Sequence, residues 1–488
     1  MGRKAVVFSK ELSKFHLLQA SDFYGDIISE NIRFILSRYG MCKDWPWIDT
    51  KYNLIMRCNF SDDDVIKGKS TIYSWIQGRG LEAISEILRK SGQLRLSLSR
   101  EEILQAHELL RALFERMYRV WKQNNRHFSF MMSPDGYPIK LSGVAANGNV
   151  SVEKLAIEEK AKYTISDIFC AKGLLSTALY LNENGIADEI TEYCKQIYQS
   201  AFDSEIENDQ YFFDSANPAI PRAGKISHAP FMLLIGMMCL LAEYTDMPDV
   251  EEMGLKLVNH VIEHHVNING KWEYLRDYDF VEAIDANGQP YTQDGQILSD
   301  SGHALEFVGL SMKLFNILKK RYSFSGIDVS PFQKIEEVLA NVFFNSFRNG
   351  FVEKFGGICK SFDLVAREIV NSEMPWWALP ETMRAAVFLW EANPKLDSKC
   401  VIADNENDAE IVGCEALSSS KYIEIFSACH NAFVENYIVE DFYLLAIQSR
   451  NGEGNISDKI PAIPDIDPCY HTCLSLLDCM CVIRAKLA

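Results

Sequence analysis

Apolar residues recur with helical spacing along most of the chain, in two distinct styles. The clearest one-sided stripe runs through Ile103, Ala106, Leu110, Leu113, Met117 and Val120, in steps of three and four. Ser99 and Glu102 stand at its start in the order of a capping box, so a helix is predicted over 99–122. Ser330, Pro331 and Gln333 open another, with Ile335, Val338 and Val342 as its stripe. The second style is apolar nearly all round. Phe231–Leu241 is one case. His303–Leu318 is another, with Leu305, Val308, Met312 and Phe315 on one side and Leu310, Leu314 and Ile317 on the next. A helix apolar on several faces lies inside a layer of other helices.

The two styles alternate. One-sided, outer helices are predicted to begin near Asp22, Ser99, Ile186, Pro248, Pro331 and Tyr422. Buried, inner helices are predicted near Arg79, Asp167, Pro230, Gly302, Pro380 and Tyr470. The pattern is that of six helical hairpins closed into a ring; an irregular helical bundle is the plainer alternative. Asp135-Gly136 and Asn287-Gly288 look like tips of short β-hairpins in the connections. No Pro/Gly/Ser-rich linker interrupts the 488 residues, so one domain is expected over 1–488, with an N-terminal extension and long loops at 124–152 and 395–418.

Composition narrows the function. The net charge of −18 and the lack of a long Lys/Arg run argue against nucleic acid or an anionic membrane as partner. The longest apolar stretch, Ala229–Ala242, is too short to span a bilayer. Met1-Gly2-Arg3-Lys4 is not followed by the apolar run of a secretory signal, so a cytoplasmic protein is expected. Thirteen cysteines, an odd number, fit reduced thiols. Cys469, Cys473, Cys479 and Cys481 lack the paired spacing of a zinc site and read as buried thiols, so no metal is assigned. The 28 Phe, 20 Tyr and 8 Trp can fill a large core and also line a carbohydrate pocket.

Chemistry-bearing residues stand at the starts of the inner helices: Arg79, Asp167, His303, Glu381 and His471, with His228 just ahead of a further one. Parallel inner helices would gather them at one mouth of the ring. The partial positive charge of a helix N-terminus disfavours imidazolium, so His303 is expected to be neutral near pH 7 and fit to act as a base. Glu306, one turn after His303, is placed to orient it or to bind a hydroxyl.

Four short segments, in order, carry a family resemblance. Ser301-Gly302-His303-Ala304-Leu305-Glu306 resembles the P-G-H-x-x-E segment of N-acylglucosamine 2-epimerases. Trp376-Trp377-Ala378-Leu379-Pro380-Glu381 resembles their W-W-x-x-x-E segment. Tyr470-His471 resembles their last motif, an aromatic followed by His. Trp75-Ile76-Gln77-Gly78-Arg79 resembles their W-x-Q-x-R segment. The resemblance implies an all-α (α/α)6 barrel. It also implies epimerisation at C2 of a free sugar, or aldose–ketose isomerisation, through an enediolate. His303 and His471 would be the acid/base pair, and Arg79 would stabilise the charged oxygen. Glu306 and Glu381 would bind hydroxyls or tune the histidines, and Trp376 or Trp377 would stack on the sugar. No cofactor is required. Some relatives are activated by ATP, and no G-x-x-x-x-G-K-[ST] loop is present here. The partner implied is a small carbohydrate, with a homodimer as the prior assembly.

The chain departs from that pattern in places. Ser301 stands where Pro is usual, Gly309 where an aromatic is common, and Leu474 where an Arg often follows the last His by three residues. Arg384, one turn after Glu381, is the candidate substitute for that Arg. Two competing readings remain: a glycoside hydrolase on the same architecture using Glu306 and Glu381, and a sugar-binding protein without catalysis.

Overall fold

The computed structural model describes residues 7–8, 14–41, 45–144, 150–158, 161–209, 224–325, 330–392, 414–457 and 466–487. Most of the loop expected at 395–418 lies outside the described residues, as do parts of the N-terminal extension and of 124–152. Twelve α-helices are present among the described residues, joined by short antiparallel strands. No described helix is long and apolar enough to cross a membrane.

The chain divides into two compact units. One comprises 1–28, 224–458 and 475–488, and the other 29–223 and 459–474. The helix α1, Lys14–Met41, contains one of the boundaries between them.

The smaller unit holds α2 (Ser74–Leu94), α3 (Arg100–Gln123), α4 (Ile165–Leu181) and α5 (Asn184–Phe202). The capping box at Ser99/Glu102 is formed: the Ser99 hydroxyl accepts from the Glu102 N–H, and Glu102 accepts from the Ser99 N–H. A second box, Thr164/Asp167, starts α4. The helices α2 and α4 are buried along most of their length, and they cross through glycines. A Cβ at Gly173 would sit 2.1 Å from the Gly78 carbonyl oxygen, and one at Gly78 would sit 2.6 Å from that of Phe169. Only a residue without a side chain allows this approach. A five-residue π-helical turn, Tyr470–Leu474, also packs on α2.

The larger unit holds α6 (Ala229–Tyr244), α7 (Val250–His265), α8 (Ser301–Ser325), α9 (Ser330–Gly350), α10 (Ala378–Ala392), α11 (Cys414–Asn436) and α12 (Ser475–Leu487). The inner-type helix α8 packs against α6, α9 and α10, and α10 packs against α11 and α12. These contacts follow the all-round apolar patterning of α6, α8 and α10. A four-stranded antiparallel sheet, in the order 368–371, 361–363, 296–299, 292–293, lies among the connections. Its small core contains Trp272, Val281, Ile284, Ile297, Phe362 and Leu364. Both expected hairpin tips are formed, with Gly136 at φ +85° and Gly288 at φ +73°.

Candidate active site

In the larger unit, Asp300 does two jobs at the start of α8. Its Oδ1 accepts from the N–H groups of Gly302 (3.0 Å) and His303 (3.3 Å), capping the helix. Its Oδ2 accepts from Lys360 Nζ at 2.5 Å and lies 3.4 Å from His303 Nδ1. The same Nδ1 is 3.0 Å from Glu282 Oε1. The other oxygen of Glu282 is 3.3 Å from Nε2 of His228, which is fully buried just ahead of α6. One carboxylate thus bridges two imidazoles, whose ring centroids are 5.8 Å apart. Phe280 and His265 edge onto His228, and His265 Nδ1 meets the Val281 carbonyl at 3.1 Å.

Trp377 lies against His303 with ring centroids 5.3 Å apart and planes 25° apart. Gly302 makes room for it: a Cβ there would be 2.8 Å from the indole. The imidazole covers one face of the indole, so Trp377 braces the histidine. Trp376 is buried and donates its backbone N–H to Gln448. The polar contacts of His303 run through Nδ1, and its side chain is 27% exposed. This leaves Nε2 as the nitrogen available to a substrate.

The charges around His303 work against the neutral base expected from the helix terminus. Burial disfavours the imidazolium, but Asp300 and Glu282 outweigh both burial and the opposing Lys360 charge, and the His303 pKa is raised above its ordinary value. A helix terminus carries about half a charge, whereas two full carboxylates sit within hydrogen-bonding range of this ring. Glu282 is desolvated, yet the two imidazoles hold its pKa well below the usual range. Burial pushes His265 the other way, well down, and keeps it neutral. The orienting task expected of Glu306 thus falls to Glu282 and Asp300.

Glu306, 4% exposed, lies one turn further along α8. A Glu306 oxygen comes within 4.8 Å of one from Glu381, which sits in the first turn of α10. Glu381 is 1% exposed and ion-paired to Arg384. Arg384 Nη1 is also 3.9 Å from Asp478, whose carboxylate receives Lys313 Nζ at 2.9 and 3.0 Å. Arg384 therefore supplies Glu381 with a counter-charge from its own helix.

The smaller unit contains Arg79 and His471. The Arg79 guanidinium is held between rings, with Cζ 4.1 Å from the Trp75 and Phe169 centroids and 5.0 Å from that of Tyr470. With its faces covered, Arg79 can offer only its N–H edge. Lys172 Nζ donates to the Tyr470 hydroxyl at 2.6 Å and lies 3.1 Å from Glu82 Oε2, all of it buried. Burial and the Glu82 charge push the Tyr470 hydroxyl up to about 12, despite Lys172 and Arg79. His471 is buried on the π-helical turn, its ring edge-on to Tyr470 at 5.1 Å. Asp467 fixes that turn by accepting from the N–H groups of Tyr470 (3.0 Å) and Thr472 (2.8 Å). Single-turn π-helical distortions recur at functional sites. Asp167 proves structural: it accepts from the Phe128 N–H and from the Tyr193 hydroxyl, and it caps α4.

Glu282, Asp300 and Lys360 were not singled out by sequence reasoning. Asp300 carried a usable signal, as an Asp directly before a helix start. Glu282 and Lys360 sit in irregular connections, where no periodicity marks them.

No protein family model matches the chain, and no curated protein matches it. Solved structures do. A cellobiose 2-epimerase from Bacillus thermoamylovorans superposes with a TM-score of 0.55 at 12% identity, covering 84% of this chain and 88% of that one. A D-mannose isomerase gives 0.55 at 10% identity, covering 86% and 90%. A cellobiose 2-epimerase from Spirochaeta thermophila gives 0.54 at 12% identity, covering 86% and 88%. The fold is that of these proteins, the (α/α)6 barrel, as the alternation of inner and outer helices predicted.

Proposed function

We propose that this protein is a cofactor-independent carbohydrate isomerase, a sugar 2-epimerase or aldose–ketose isomerase, with His303 and His471 as its acid/base residues. The observation that carries the reading is the bracing of His303. Two carboxylates hold one nitrogen, an indole covers one face, and the other nitrogen is left to act. Such bracing fixes the tautomer and the direction of proton transfer. The sugar enters in its open carbonyl form. Because Asp300 and Glu282 favour its imidazolium, His303 begins as the proton donor and His471 as the base that removes the C2 proton. Arg79 stabilises the oxygen of the enediolate through its N–H edge. Return of a proton to C2 on the opposite face gives the epimer; return to C1 gives the ketose. The likeness of fold to sugar epimerases and an isomerase supports the same class.

The test is exchange with solvent. Cellobiose, mannose and N-acetylmannosamine are incubated with the protein in D2O and followed by proton NMR. Deuterium is expected at C2 of an aldose or C1 of a ketose, with loss of roughly 10²–10⁴ in rate in both His303→Ala and His471→Ala. No incorporation into any sugar would remove the proposal.

The approach of Glu306 and Glu381 favours a second reading, since retaining glycosidases hold their carboxyl groups about 5–5.5 Å apart. That chemistry needs one of the two as a protonated acid, and the Arg384 pair works against it at Glu381. Release of reducing sugar from a glycoside, without exchange, would favour the hydrolase.

A further inference from the structure

His228, Glu282 and His303 each present one ligand atom, and all three atoms lie within 4.8 Å of one another. We propose that these residues form a two-histidine, one-carboxylate site for a divalent transition-metal ion of the zinc type, and that occupancy silences His303. The second statement rests on the acid/base reading of His303; the first does not.

The geometry is close to that of a bound ion. With metal–ligand bonds of about 2.0–2.1 Å, neighbouring donors of a tetrahedral site are about 3.3 Å apart. His228 Nε2 and Glu282 Oε2 are 3.3 Å apart, and Glu282 Oε1 and His303 Nδ1 are 3.0 Å apart. Each oxygen of Glu282 faces a different imidazole, so the carboxylate stands between the two rings as a shared ligand would. A small shift of the Glu282 carboxylate, with its 21% exposure, completes the approach. Asp300 Oδ2, 3.4 Å from His303 Nδ1, is within reach as a fourth ligand or as its hydrogen-bonded support. His228 is immobilised by Phe280 and His265, and His303 by Trp377, so two of the three ligands are already oriented. Imidazole donors select zinc, copper or nickel over magnesium and calcium.

The consequence for chemistry follows from the ring. An imidazole metallated at Nδ1 carries its proton on Nε2 and cannot release and regain it in a cycle. Zinc and turnover are therefore mutually exclusive at this ring.

The experiment is equilibrium dialysis of the metal-free full chain against Zn2+. It is run in a Cys58→Ser background, because an exposed thiol such as Cys58 is a competing zinc donor. One equivalent is expected to bind, unaffected by excess Mg2+. Glu282→Gln and His228→Gln should each weaken it about tenfold or more. Circular dichroism confirms that each variant is folded. His228 is buried, so Glu282→Gln decides if His228→Gln fails to fold. Co2+ in place of Zn2+ should give the visible absorption of nitrogen/oxygen ligation without a thiolate charge-transfer band. No bound equivalent, or stoichiometry and affinity unchanged in Glu282→Gln, would overturn the site. Binding is read without turnover. Solvent exchange by the metal-free chain, with no zinc uptake, would sink this inference alone; zinc uptake by a chain that gives no exchange even when metal-free would sink the isomerase reading alone.

Discussion

The polar clusters of the two units are built from similar residues to opposite ends. In the smaller unit, Lys172, Glu82 and Tyr470 satisfy one another, and three rings close over Arg79. Lys172 and Glu82 are buried there together with their partners. In the larger unit, a single carboxylate is shared by two imidazoles, and the ring of His303 stays partly open. The first arrangement resists change of protonation; the second invites it. Burial alone does not make a group reactive. What separates the two is whether the charge on one side can be exchanged for a proton on the other.

Breaking the smaller unit's cluster should give the largest loss of stability. Lys172→Met removes a buried ammonium 3.1 Å from Glu82 and should cost about 3–5 kcal/mol in urea unfolding. A loss under about 1 kcal/mol would show that water reaches the pair.

The larger unit should instead respond in its titration. The raised His303 pKa contributes stability that is fully present below the unfolded value near 6.5 and is lost as pH rises through the folded value. In Glu282→Gln, ring NMR should show the His303 pKa falling, and this pH-dependent part of the stability should shrink. An unmoved pKa would assign the shift to Asp300 alone.

The smallest effect is expected at the turn that carries His471. Asp467→Ala removes an acceptor for two backbone N–H groups and should cost about 1 kcal/mol. The variant should lose solvent exchange more than it loses stability if the turn positions His471.

The fold was legible because its signals are local. Apolar steps of three and four, with Ser99/Glu102 marking one start, locate helices without knowledge of their neighbours. The site was half legible. His303, Glu306, Trp377 and Glu381 sit at helix starts, where sequence position implies placement. Glu282 and Lys360 reach the same place from connections 21 and 57 residues away from His303, and only the folded chain brings them there. The surroundings of His303 were hidden for that reason: the helix terminus can be read from sequence, but the two carboxylates beside the ring cannot. The π-helical turn at Tyr470 was also hidden, since an Asp before a helix does not distinguish π from α winding.

If His303, held by Glu282, moves a proton at the carbon next to a sugar carbonyl, that proton transfer must titrate with the ring. The direct measurement is the pH dependence of C2 deuterium exchange in the wild type and in Glu282→Gln. Exchange should be lost as pH rises through the raised His303 pKa, with this limb displaced to lower pH in the variant. A limb at the same pH in both proteins would contradict it.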